Sequence, residues 1–294
     1  MMTIAAMTWK ELLRKRVMLL TLAMTAVFLV AFWFVAQSIG QSDGVGEMAG
    51  AGDFGSLLIQ FRNGAVILTL GFFFGSFVIA FLSIFSSFSA IAGEAEQGVL
   101  QALLPRPIAR WRWYAGRWFG YVSVGILYAL LLFVSILAIA EYHSAVPRDF
   151  AALAIAFALF ASVVPLLISL AMFGSCLWSA FGNGVFVIML YGVGWLGGML
   201  DKAVSFGLFK QETADSLSQM AGVMSLVMPV DSLQRRMLSE LLSLQEMGDM
   251  VDLGSSLGPF GFESVPSNAY LIYSAVYTIA LLLAGFALFQ RKDL

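Results

Sequence analysis

The residues able to do chemistry are few and poorly spaced for it. His143 is the only histidine and Cys176 the only cysteine in a chain of 294 residues. A protein metal site normally gathers several His, Cys or carboxylate ligands, and an intramembrane metalloprotease needs a pattern such as H-E-x-x-H. One histidine supplies neither. Serine proteolysis lacks a base, because His143 falls in a short predicted loop. Cys176 has no partner for an internal disulfide and lies in an apolar run, where a thiol packs as a small hydrophobe. Gly192, Gly194 and Gly197 match G-x-G-x-x-G, but a dinucleotide site needs that motif between a strand and a helix. Within an apolar run it reads as helix packing. No G-x-x-x-x-G-K-[ST] sequence is present, so no P-loop for ATP is expected in this chain. Ser83, Ser86, Ser87 and Ser89 read as helix contacts. The expectation is a chain with no catalytic residue, no metal and no cofactor of its own.

What stands out instead is Gly93–Gly120, GEAEQGVLQALLPRPIARWRWYAGRWFG. Glu94 and Glu96 fall where a short helix would begin, and negative charge there complements the positive end of the helix dipole. Val99, Leu100, Leu103 and Leu104 share one face, predicting a two-turn amphipathic helix. Pro105 and Pro107 end it, since proline lacks the backbone donor and restricts the residue before it. Arg110, Arg112 and Arg117 then alternate with Trp111, Trp113, Tyr114 and Trp118, the composition of an anchor at a cytoplasmic membrane interface. An apolar helical face suits either a protein groove or a lipid surface. A helix in a groove would act as a handle pulled from outside the membrane.

The elements that must hold this handle are membrane spans. The chain is 60% hydrophobic and 12% charged, with a mean hydropathy of +0.89, where soluble domains carry about 25% charged residues. This is an all-α, polytopic membrane protein, and its net charge of −2 gives no reason to expect nucleic acid. Crossing a hydrocarbon core of about 30 Å takes about 20 apolar residues. Six segments qualify: about 17–39, 64–91, 118–140, 150–173, 184–200 and 268–289. The first exceeds the apolar core of a signal peptide and lacks a clear A-x-A site, so it reads as a retained span. Phe150–Leu200 carries no charge and is read as two spans with a tight turn near Gly174–Gly184, where Asn183-Gly184 is a turn dipeptide. Gly71 and Gly75 have the spacing that lets membrane helices approach closely. Pro165 is expected to kink the fourth span.

Outside the spans, residues 3–16 are amphipathic, with Thr8 and Glu11 at capping-box spacing. They read either as flanking positive charge or as an interfacial helix. Residues 40–62 read as a Gly-rich outer loop. Residues 201–267 form a long outer segment in which Leu233, Met237, Leu238, Leu241 and Leu242 repeat at helical spacing. That helix either rests on the outer leaflet or caps a pathway. Six spans place both termini in the cytoplasm. The inner segments then hold 10 of the 16 basic residues, and 14 of the 18 acidic ones lie outside, the bias expected of this orientation. No predicted span contains Asp, Glu, Lys, Arg or His, although ion-coupled carriers usually place such groups at membrane depth.

Gly93-Glu94-x-Glu96-x-Gly98, Leu100, Leu103-Leu104, Pro107-Ile108-x-Arg110 and Gly116-Arg117 together resemble the cytoplasmic loop of permease subunits of ABC-2-type exporters. Trp9-Lys10-Glu11-Leu12, Met228-Pro229-Val230-Asp231 and the basic C-terminus extend the resemblance over most of the chain. The pattern is most similar to the branch containing the permease of the nitrous-oxide-reductase maturation transporter. Val99 stands where that family often has Thr, and Arg117 where it often has Lys. The resemblance implies a multi-pass permease in the plasma membrane of a prokaryote, pairing with a second copy or a paralogue. It also implies a separate ATPase subunit, which holds the Mg-ATP and docks on a coupling helix at Glu94, Glu96, Val99, Leu100, Leu103 and Leu104. Residues 92–117 would be the coupling loop and 201–267 an outer gate segment. Two other readings remain: a channel or secondary carrier independent of ATP, and a membrane scaffold whose loop recruits a partner that is not an ATPase. An enzyme acting within the membrane is the reading least supported.

Overall fold

The computed structural model describes residues 2–42, 53–98, 109–144, 149–205, 207, 209, 211–242 and 266–291. Among these residues the backbone forms ten helices and no strand. They are α1 (Met2–Arg14), α2 (Arg16–Ser42), α3 (Asp53–Ser87), α4 (Ala92–Glu96) and α5 (Arg110–His143). After these come α6 (Phe150–Leu177), α7 (Ala180–Ser205), α8 (Gln211–Val227), α9 (Val230–Leu241) and α10 (Asn268–Arg291). Helices α2, α3, α5, α6, α7 and α10 are long and apolar enough to cross a bilayer, six as the hydropathy pattern requires.

Helix α6 is the centre of the bundle and packs against α3, α5, α7, α9 and α10. Its sequence is apolar on every side, as a helix surrounded by others must be. Val164, Leu166, Leu167, Ile168, Ala171 and Met172 are fully enclosed. Where two helices meet closely, glycine makes the room. A Cβ at Gly71 would overlap Phe32 of α2 and Ile136 of α5, and one at Gly75 would reach 2.9 Å from Ile136. The small-residue spacing on α3 thus seats two neighbours. Ser83, Ser86 and Ser87 donate to carbonyls of their own helix, which satisfies them without a ligand. Cys176 is buried, and His143 Nδ1 bonds the Ile139 carbonyl at 2.9 Å beside the Trp33 ring.

Several boundaries differ from the sequence reading. Thr8 and Glu11 do not form a capping box: α1 already begins at Met2, and Thr8 Oγ1 donates to the Ile4 carbonyl one turn earlier. The loop expected over 40–62 is helical from Asp53. The basic and aromatic cluster 110–118 forms the opening turns of α5, which therefore begins before the span expected from residue 118. The turn between the fourth and fifth spans is only Trp178–Ser179.

The largest difference is in 201–267. After α7, the chain turns back as α8, which packs along α7, and continues as α9, which packs on α6. Met228 at the bend is fully buried, as are Leu233, Met237, Leu238, Leu241 and Leu242. The amphipathic repeat of α9 therefore faces protein, and the helix does not rest on a leaflet. Three glycines of α7 admit this hairpin. A Cβ at Gly194 would sit 2.7 Å from the Met228 carbonyl oxygen, one at Gly197 2.7 Å from Met224 Cβ, and one at Gly198 would overlap the Asp231 carboxyl. Gly194 lies eleven residues before the end of α7, about 16 Å at about 1.5 Å per residue. The bend at Met228–Pro229 thus reaches about half-way into the bundle.

Candidate functional site

The end of the bundle that holds α1, α4, the start of α5 and the end of α10 is called here the terminal face. At its centre is the Arg117 side chain, buried at the base of α5. The guanidinium fork divides between two carboxylates: Nη1 pairs with Glu11 of α1, and Nη2 with Glu94 of α4. Its Cζ lies 5.5 Å from the Trp113 ring centroid and 5.9 Å from that of Tyr121, so the desolvated cation also has aromatic faces beside it. Lys15 pairs with the other oxygen of Glu11 at 2.7 Å. Burial alone would raise the Glu11 pKa, but the hydrogen bonds and charges of Lys15 and Arg117 outweigh it and hold the carboxyl below its ordinary value.

Helix α1 is seated on α5 by its residue sizes. Gly120 leaves room for Thr8, whose Cβ would lie 2.6 Å from a Cβ at 120. One turn on, Trp9 Nε1 donates to Ser123 Oγ at 2.7 Å. An amphipathic N-terminal helix is thus fixed to the third span by an ion pair, a small-residue notch and an indole hydrogen bond.

The loop leaving α3 is held with equal care. Ser175 Oγ of α6 accepts from the backbone amides of Ile91 and Ala92, at 3.1 and 2.8 Å, just before α4. Asn183 of α7 donates to the carbonyls of Phe88 and Ala171, both at 2.7 Å. Glu96 accepts from the amide of Ala180, at 3.0 Å, the first residue of α7 and one of the donors a helix start leaves unsatisfied. Glu94 and Glu96, two residues apart, therefore grip different parts of the bundle. The first holds α1 and α5, the second α7.

Helix α4 stops at Glu96, and Gly98 follows with a φ of 71°, a left-handed conformation suited to glycine. One unbroken helix from Glu94 to Leu104, as the sequence suggested, is thus broken at Gly98. Val99, Leu100, Leu103 and Leu104 lie outside the described residues.

The aromatic and basic residues that follow separate into two sets. Trp113 is buried and stacks on Phe289 of α10 with centroids 5.2 Å apart, and Trp118 Nε1 donates to Ser169 Oγ of α6 at 2.9 Å. Arg110 donates to the Gln290 carbonyl at 2.9 Å. Trp111 and Arg112 are exposed. Arg117, Trp113, Trp118 and Arg110 therefore join elements together, and Trp111 and Arg112 face outward.

A second set of charges lies toward the other end, where sequence reasoning expected none within the bundle. Asp231 and Arg235, on α9, meet Asp201 and Lys202 of α7. Arg235 Nε lies 3.0 Å from Asp231, another of its nitrogens pairs with Asp201, and Lys202 Nζ is 3.9 Å from Asp231. Lys202 also lies 5.3 Å from the Phe73 ring centroid. Two carboxylates and two cations form a neutral cluster, the condition under which buried charges are tolerated. Hydropathy could not find it, because Asp231 and Arg235 belong to a helix too short to span. Opposite this cluster, Tyr270, Tyr273 and Tyr277 of α10 donate to the carbonyls of Ser225, Leu226 and Val227. These are the last carbonyls of α8, which the helix itself leaves unpaired. The i, i+3, i+7 spacing of the tyrosines was the available signal.

Six apolar helices, a hairpin folded back among them and an anchored loop on one face define a multi-pass α-helical membrane protein. A model of the ABC-2 family transporter protein matches residues 2–294, and the chain belongs to that family: it is a permease of an ABC transporter, the membrane component and not the catalytic one. No curated protein matches the chain.

Proposed function

We propose that this permease is one half of the membrane part of an ATP-driven exporter in a prokaryotic plasma membrane. The terminal face is cytoplasmic. A separate nucleotide-binding subunit, which holds Mg-ATP, docks on the segment Glu94–Leu104, with Val99, Leu100, Leu103 and Leu104 as its apolar contacts. A second copy or a paralogue completes the pathway, and the hairpin α8–α9 is its outer gate. Within this proposal, the loop pattern points to the branch serving nitrous-oxide-reductase maturation.

The divided grip of Glu94 and Glu96 carries this reading. A force applied just beyond Glu96 reaches the frame of α1 and α5 through Arg117, and α7 through the Ala180 amide. Helix α7 is also the helix that carries the hairpin on Gly194, Gly197 and Gly198. A single short segment thus connects an external motor to both the static and the moving parts. Co-purification from native membranes tests the docking: a soluble P-loop ATPase should accompany the wild-type chain and be lost in Leu103→Asp with the permease still inserted. Retention of the ATPase by that variant overturns the docking role. Substrate flux by the purified chain alone would favour an independent carrier, and capture of a partner without ATPase activity a scaffold.

A further inference from the structure

Helices α5 and α10, joined at the terminal face by the Trp113–Phe289 stack and the Arg110–Gln290 bond, leave a groove of about 210 Å³ lined by Trp111, Tyr114, Ala115, Trp118, Phe119 and Leu283. Its wall is almost wholly apolar, and Trp111, Phe119 and Leu283 are 45%, 55% and 59% exposed. Basic groups stand beside the Trp111 rim of the groove. The exposed Arg112 holds its guanidinium 5.5 Å from the centroid of the Trp111 ring that forms the rim. Arg110 joins the two helices through the Gln290 carbonyl, and the exposed Arg291 ends α10 beside it.

We propose that this groove holds an acyl chain of an anionic phospholipid whose phosphate rests on Arg112. The shape and charge favour this occupant over a zwitterionic lipid or a protein helix. The groove is apolar, and a guanidinium stands beside its Trp111 rim. Arginine presents several donors in a planar fork suited to phosphate, and an aromatic ring beside it belongs at headgroup depth. Basic pockets between membrane helices select anionic headgroups for these reasons. The lipid would bridge the base of the third span to the end of the sixth, next to the stacked pair Trp113–Phe289.

The test uses the full chain in nanodiscs doped with phosphatidylglycerol or phosphatidylcholine brominated on one acyl chain, and reads the tryptophan quenching that Trp111→Phe removes. Phosphatidylglycerol should quench with an apparent affinity roughly fivefold higher, the preference one arginine near an anionic surface provides. Arg112→Gln should abolish the preference and keep the quenching by both lipids. Ala115→Phe, which fills the groove, should remove quenching by both. Equal quenching in the wild type overturns the proposal, as does a preference that survives either substitution.

Discussion

The Tyr277 hydroxyl donates to the Val227 carbonyl at 3.0 Å, joining the sixth span to the final residue of α8, where the helix has no donor of its own. Tyr273 does the same for Leu226 at 2.7 Å. Away from water an unpaired carbonyl is costly, so a hairpin that ends inside the bundle needs donors from its neighbours. Tyr273→Phe and Tyr277→Phe keep the rings and remove only the bond. Each should destabilise the protein by about 1–3 kcal/mol, read as a lower Tm in detergent. The double variant should speed amide exchange at Met228–Ser232. An unchanged exchange pattern would mean that the hairpin is held by packing alone.

Glycine to alanine should have opposite signs at Gly198 of α7, which faces α9, and at Gly222 of α8, which faces open space. Gly198 faces the Asp231 carboxyl, which Arg235 and Lys202 restrain. Gly198→Ala should destabilise by about 1–3 kcal/mol as an overpacked site. A Cβ at Gly222, on α8, would meet nothing within 4 Å, and Gly222→Ala should stabilise by up to about 1 kcal/mol through helix propensity. Thermal unfolding of the two variants decides it. Equal shifts would show that Asp231 of α9 does not pack on Gly198 of α7 as described.

These glycines also show how far the sequence could be read. Six spans followed from hydropathy because a bilayer demands long apolar helices, and Gly194 and Gly197 were already packing residues in a motif that looked like a nucleotide site. The partner they pack against was not legible. Leu233, Met237 and Leu238 repeat as any amphipathic helix does, and the period is the same whether its apolar face meets lipid or protein. Glu94 was legible as a helix-start residue, but its partner Arg117 lies on the far side of two prolines, and Glu11 nearer the N-terminus still. Long-range ion pairs leave no periodic signature.

Arg117 explains its own departure from the lysine common at this position in the resembling family. Two separate nitrogens reach two carboxylates on different helices, a geometry that one ammonium group cannot copy. Arg117→Gln leaves Glu94 and Glu11 without their shared cation and should cost about 3–5 kcal/mol, as breaking a buried pair does. Arg117→Lys should recover only part of that. Arg112→Gln, on the exposed side of the same turn, should change stability by less than about 0.5 kcal/mol. Denaturation in matched detergent compares the three, and an Arg117→Lys variant as stable as wild type would remove the argument for the fork.

Glu11 predicts a pH dependence with a definite sign. Its carboxyl is held below the ordinary value of 4.5 in the folded protein, so the folded state binds its proton less readily than the unfolded one. Its contribution is fully present above the unfolded value and is lost as pH falls through the folded value. The Tm difference between wild type and Glu11→Gln should therefore be constant from neutral pH down to about pH 5 and shrink below it. A difference that grows on acidification would reverse the assignment.

Glu96 offers the sharpest separation between holding a helix and merely lying near it. Its carboxylate accepts from the Ala180 amide at 3.0 Å, whereas Glu94, two residues earlier, reaches Arg117 and leaves α7 alone. Loss of a side-chain acceptor at a helix start costs about 0.5–2 kcal/mol, and the loss should be local. Amide exchange at Ala180–Gly182 should accelerate in Glu96→Ala and stay at the wild-type rate in Glu94→Ala, although the second variant is the less stable overall. Were both to loosen α7 alike, the two carboxylates would act as one support, and the divided grip through which a docked ATPase is proposed to move α7 against α1 and α5 would be lost.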